Sequence, residues 1–293
     1  MIGIIMLFKN KTEPKYDRKM YEEELEHLDE LIFYAVGVSD AVGGIKVPQR
    51  YVIATQLFTR IVSSSITFFR ILPANRFLIQ EPEWWDWASV ASLGRNIIET
   101  YHAFFYVGIE KISDDEVKFR LDLMQLHRNS EKYRLYKEIG IEDSQLRDFE
   151  EGLPLDKQHL KDNKIFQSLP EKYQSELLKG KTAMHLSHSE IHRRADILSD
   201  SFKPIYRLLS NQVHSTPFAS QAQSDERGRG FENDTERYYI ILIIQVVSKI
   251  LLKSIMSMVR IFPGKLKALP FIKMLIKAKF NLKKQHKDQR WKR

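Results

Sequence analysis

Residues 201–217 read SFKPIYRLLSNQVHSTP. Taken as a helix, this run places Arg207, Ser210, Asn211 and His214 at offsets of 0, +3, +4 and +7, one polar stripe on one face. Ile205, Tyr206, Leu208, Leu209 and Val213 point in the other directions, so the helix is expected to pack on several sides with its stripe partly inside. An unpaired polar group costs about 1–3 kcal/mol to bury, and more if charged, so the stripe needs a partner elsewhere in the chain.

The best partner is the most apolar segment, EWWDWASVASLGRNIIETYHAFFYVGIE over residues 83–110. Against its aromatic and aliphatic positions it sets Ser92, Arg95, Glu99 and His102 at 0, +3, +7 and +10, a second polar stripe on a largely hydrophobic rod. The two stripes are expected to meet across a helix contact. The rest of the chain reads the same way. Leu25, Leu28, Leu31 and Ile32 give a helix over 15–36; Pro48 opens a second that ends near Pro73, its Ser63, Ser64 and Ser65 suited to close packing. Ser113 to Glu116 and Ser187 to Glu190 have capping-box spacing, and Gly140 suits a helix end. Residues 141–186, broken by Gly152, Pro154, Pro170 and Gly180, predict short helical pieces in a polar insertion. Thr235 to Phe262 is a long core helix. No stretch shows two-residue alternation. The expected fold is all-α: a single bundle of five or six long helices over 1–263, with a small helical insertion at 141–186 and a basic C-terminal extension over 264–293.

Composition narrows the chemistry. The chain of 293 residues has no cysteine, which excludes disulfides, thiolate zinc sites and cysteine nucleophiles. The opening MIGIIMLF lacks a preceding cation and a cleavage site, and the apolar run Tyr238 to Val247 is too short to span a bilayer needing about 20 residues. A cytoplasmic protein without a transmembrane segment is the expectation. The formal charge of +8 is unevenly placed: residues 264–293 carry nine Lys, two Arg and one Asp, so the body is nearly neutral and the tail strongly basic. That tail, with Leu266, Leu269, Phe271, Ile272, Leu275 and Ile276 on one stripe, suits docking on the body, RNA or an anionic membrane surface.

Three Arg/His pairs have six residues between them: Arg95/His102, Arg120/His127 and Arg207/His214. The second sits on a charged helix and reads as a solvated face. His185, His188 and His192, with Asp196, likewise read as a solvated helix face rather than a zinc site. Glu24/His27 and Glu99/His102 have the Glu-x-x-His spacing of di-iron bundles, but no inward Glu is evident on the other helices, and no metal or cofactor is expected. For the two remaining stripes two readings stay open. One is a buried polar network joining two core helices. The other is a site in which Arg95 and Arg207 bind an anion while Glu99 and His214 handle protons, with Asn96, His102, Tyr206, Ser210 and Asn211 contacting substrate.

The Arg95-x-x-x-Glu99 helix, Ser187–Leu198, and the run Tyr206-Arg-x-Leu-Ser-x-x-Val-His214 together resemble a group of uncharacterised bacterial helical proteins, domain of unknown function 5677, over about residues 45–260. That resemblance implies an all-helical fold with a shared site near Arg95, Glu99, Tyr206, Arg207 and His214, and no particular activity. The Arg/His pairs are more distantly similar to HEPN-type ribonucleases, in which Arg and His share a helix face, often at a dimer interface, and cleave RNA without metal. That likeness implies RNA or a nucleotide as partner and a homodimer as the assembly.

Overall fold

The computed structural model describes residues 16–78, 82–140, 144–197, 202–214, 216–221, 224–270 and 272. The opening MIGIIMLF and most of the basic tail lie outside these residues. The protein is all-α, and among the described residues no strand occurs. Its helices are α1 (Arg18–Ala41), α2 (Gln49–Ile71), α3 (Trp87–Phe104), α4 (Asp114–Glu138), α5 (Ser144–Lys161), α6 (Lys164–Gln167), α7 (Glu171–Leu177), α8 (His188–Ala195), α9 (Phe202–Val213), α10 (Pro217–Ser220), α11 (Asp234–Ile261) and α12 (Pro263–Leu266). A π-helical turn, Phe105–Ile109, follows α3, and a 3-10 turn, Asp225–Gly230, precedes α11. The chain divides into two compact units: residues 1–44, 58–99 and 200–293 form the first, and residues 45–57 and 100–199 the second.

In the first unit, α1 buries Tyr21, Leu25, Leu28, Leu31, Ile32, Ala35 and Val38, a repeat of three and four residues that turns one face inward. Its main partner is α11, which is apolar over most of its length and buries Ile240, Ile243, Ile244, Val247, Leu251 and Ile255. Asp17 caps α1 by accepting from the Met20 amide at 2.9 Å, and Asn233 caps α11 by accepting from Thr235 and Glu236. Gly94 is what lets α3 lie against α11: a Cβ there would stand 2.6 Å from Ile243 Cγ2. Ser64 on α2 reaches Asn96 on α3 at 3.4 Å, and Ser65 is fully buried, as the serine run predicts. Arg18 closes the unit's rim with a two-pronged grip on Glu83 at 2.8 and 2.9 Å and a further bond to Glu232 at 3.1 Å.

In the second unit, Phe119, Leu123, Leu126, Leu160, Phe166 and Leu177 form one core shared by α4, α5, α6 and α7. Gly108 packs its Cα on Ala54, and Arg50 donates to the carbonyls of Val107 at 2.8 Å and Glu110 at 2.5 Å. Those carbonyls end a helix and have no partner within it, so Arg50 serves as their cap.

Two expectations are corrected. The third helix begins at Trp87 rather than 83, because Asp86 caps it by accepting from the Ser89 amide, which leaves Trp84 and Trp85 in the approach segment. The stretch 141–186 is not all short pieces: α5 runs 18 residues straight through Gly152 and Pro154. A helix interior normally rejects proline, at about 3 kcal/mol, but packing on α4 outweighs that cost here. By length and composition alone both α2 and α11 are long and apolar enough to cross a membrane, and α11 has 67% of its most apolar window buried inside the protein, as a core helix does.

Candidate functional site

The first unit brings α3 and α9 together at four polar side chains. Arg95 donates from Nε to Glu99 Oε1 at 2.9 Å, one helical turn along the same face. Tyr206 of α9 donates its hydroxyl to the same oxygen at 2.5 Å, and Arg95 Nη2 reaches that hydroxyl at 3.4 Å. The guanidinium also lies over the Tyr206 ring, 5.2 Å from its centre. On the open side, Arg95 Nη1 stands 3.5 Å from His214 Nε2. A guanidinium can only donate, so a hydrogen bond in this contact requires Nε2 to be the acceptor. Burial, and then the Glu99 carboxylate, raises the Tyr206 phenol above its ordinary range. Arg95 is held at three points while His214 and the outer edge of the site face solvent.

Not every member of the expected stripes joins this group. Ser210 Oγ donates to the Tyr206 carbonyl and Asn211 Nδ2 to the Arg207 carbonyl, so both are satisfied by their own helix. Arg207 is exposed. The stripe on α9 is therefore mainly a surface feature, and it is Tyr206, one residue away from it, that makes the bond to Glu99. Asn96 meets Ser64.

His102 belongs to the second unit and has different neighbours. Its Nδ1 lies 3.0 Å from His188 Nδ1 and its Nε2 3.3 Å from His192 Nδ1, so three imidazoles stand in a hydrogen-bonded row. His102 is fully buried, and burial followed by the two neighbouring rings pushes its pKa down to about 3. Beside it runs a second network. Arg120 is wholly buried and bonds Glu116 through Nε at 3.0 Å, the Tyr106 carbonyl through Nη1 at 2.5 Å, and Glu110 at 2.6 Å, while lying 4.2 Å over the Tyr106 ring. The Tyr106 hydroxyl meets His185 Nδ1 at 2.8 Å, and Arg194 ties Glu110 to Glu190 at 3.0 and 2.9 Å. Burial, then the Arg120 charge, takes His185 down to about 4.

The solvated-face readings of Arg120 and of His185, His188 and His192 are thus corrected: Arg120 and His192 are core groups with specific partners. His127 bonds the Gly180 carbonyl at 3.1 Å. Glu24 of the other Glu-x-x-His element bonds Gln245 at 2.8 Å. Among the described residues, no group of three or more His, Asp or Glu side chains has the geometry to hold a metal ion.

A family model described as a family of unknown function, DUF5677, matches residues 51–229, more than half of the chain. The chain belongs to DUF5677. The matched span holds both polar networks, from Arg95 through His214, and stops short of the capped start of α11. No curated protein and no solved structure matches the chain. Within this DUF5677 chain, Arg120, Glu110, Tyr106 and Arg194 are the polar residues that sequence reasoning missed. The available signal was Glu116, four residues before Arg120 and thus on the same helix face.

Proposed function

We propose that the Arg95, Glu99, Tyr206 and His214 group is an anion-binding, acid-base site that cleaves RNA without a metal ion, in the manner of HEPN-type ribonucleases. The observation that carries this reading is the contact between Arg95, immobilised by Glu99 and Tyr206, and the exposed imidazole of His214. A guanidinium held by a carboxylate and a phenol is already ordered, so little freedom is lost when a phosphate docks on its open edge. Docking draws Nη1 toward a phosphate oxygen and away from His214, releasing the Nε2 lone pair. That lone pair takes the proton of a ribose 2′-hydroxyl as its oxygen attacks the adjacent phosphorus. The bond from phosphorus to the 5′-oxygen breaks, and the leaving oxygen takes back a proton from the imidazolium or from water. The products are a 2′,3′-cyclic phosphate and a 5′-hydroxyl.

Arg207, exposed one residue past Tyr206, supplies a second phosphate contact, and Ser210, Asn211 and Asn96 line the approach. The acid-base role goes to His214 rather than His102, since a fully buried ring cannot exchange protons with a polymer outside. The test is incubation of purified protein with total RNA, with and without a chelator: cleavage unaffected by the chelator supports the reading, and intact RNA in both removes it.

A further inference from the structure

A separate feature of the first unit concerns the segment before α3 and the turn before α11. Trp84, Trp85, Asp86, Trp87, Arg229 and Glu236 line a cavity of about 340 Å³, a size in the range of small-molecule sites. Its backbone is specially shaped. Gly228, Arg229 and Gly230 all have positive φ, at 70°, 51° and 95°. For glycine that conformation is free, but for Arg229 it carries strain that the surroundings must impose. The fold of this turn presents the Gly230 carbonyl to the Trp85 amide at 2.8 Å and lets the Trp84 ring lie on Gly230, where a Cβ would sit 3.2 Å from the indole. Trp84 also stacks on Phe231 at 5.5 Å, and both rings are about half exposed.

The group that points to a ligand is Glu236. Its side chain is 2% exposed. Arg227 donates from Nε to Oε1 at 2.8 Å, and its Nη2 stands 2.7 Å from the same oxygen as an ion pair without hydrogen-bond geometry, while Oε2 is buried with no hydrogen-bond partner among the described residues. A buried carboxylate oxygen lacking a donor is costly, and burial raises the carboxyl pKa despite Arg227. An incoming N–H would relieve that cost. Indole walls favour a flat ring, and the exposed Arg229 at the mouth favours an anionic substituent on the same molecule.

We infer that this cavity binds a nucleotide, its base against the indole wall with an N–H donated to Glu236 Oε2, and its phosphate at Arg229. The inference goes beyond the cleavage reading and stands on the cavity alone; cleavage is attributed to other residues. The ligand is either a free nucleotide or one residue of a single-stranded RNA.

Three of the chain's four tryptophans line the cavity, so indole fluorescence reports on it directly. Full-length protein is titrated with the four nucleoside 5′-monophosphates, the matching nucleosides, ribose 5-phosphate, tetramethylammonium and a short single-stranded RNA. The expected result is saturable quenching by the monophosphates, weaker by the nucleosides, and none by ribose 5-phosphate or the ammonium ion. Arg229→Gly removes the charge and relieves the strained backbone together. It is expected to melt no lower than the wild type yet to lose about tenfold of the preference for monophosphate over nucleoside, the worth of one charge-assisted bond. Glu236→Gln is expected to weaken binding of the amino-bearing bases. Tighter binding of RNA than of free nucleotide identifies a strand as the source; equal or weaker binding of RNA identifies the free nucleotide. Absence of saturable quenching by any nucleotide, quenching by the ammonium ion alone, or unchanged binding in both variants overturns the site, whatever the outcome of the RNA cleavage assay.

Discussion

The Tyr206 hydroxyl joins α9 to the Arg95–Glu99 pair of α3, and it does so with a bond of 2.5 Å to a carboxylate. Bonds to charged groups contribute more than neutral ones, but Glu99 is about a third exposed, which reduces the effect. Tyr206→Phe is expected to lower stability by about 1 kcal/mol and RNA cleavage by about tenfold, both read on the same preparation by urea denaturation and by product quantification. A second expectation at this scale concerns pH. His102 and His185 have folded pKa values near 3 and 4, below the ordinary imidazole value near 6.5. Their unfolded forms therefore bind protons that the folded forms do not, so stability is present above about pH 6.5 and is lost as pH falls toward 4. The slope reaches about 1.4 kcal/mol per pH unit per histidine. His102→Gln should flatten the fall in melting temperature between pH 7 and pH 5; an unchanged fall would locate the titration elsewhere. Arg95, Glu99 and His214 were legible as polar groups because their offsets align on helices that are otherwise apolar, whereas Tyr206 lies off the stripe and was indicated only by the family resemblance. Arg120 was not. It sits among charged residues on α4, next to Phe119, and only the arrival of Glu110 and Tyr106 from outside the helix makes its burial possible.

At the scale of elements, helix existence followed from apolar spacing, and helix ends followed from side chains that accept backbone N–H groups. Ser113 and Ser187 cap α4 and α8 by accepting from Glu116 and Glu190, although those glutamates turn to arginines instead of completing the box. Pro154 was misread because a local rule cannot register the tertiary packing of α5. The approach of α3 to α11 depends on one missing Cβ. Gly94→Ala would place a methyl 2.6 Å from Ile243 Cγ2, a stiff β-branched side chain on α11. It is expected to cost about 1–3 kcal/mol by denaturant unfolding. Ile243→Ala in the same chain should recover part of that loss, measured as a coupling energy in a double-mutant cycle. Additive effects would place the strain somewhere other than this contact.

For the molecule as a whole, the body is nearly electroneutral and the basic charge lies in residues 264–293. We propose that this extension adds RNA affinity to the cleavage site. Truncation to residues 1–263 is then expected to weaken RNA binding and to flatten its dependence on salt, because fewer counterions are released. Binding to anionic vesicles that persists at high salt, and is lost on truncation, would assign the extension to a membrane surface instead. Whether the histidine beside Arg95 moves protons in RNA cleavage is tested by one comparison: wild type against His214→Ala, with activity and thermal unfolding measured together. The expected result is cleavage to 2′,3′-cyclic phosphate ends by the wild type, a loss of about 10²–10⁴-fold in the variant, and a cooperative melt within a few degrees of the wild type. Equal cleavage by both proteins, or a lowered melt with no wild-type activity to lose, would contradict it and leave the group a structural tie between α3 and α9.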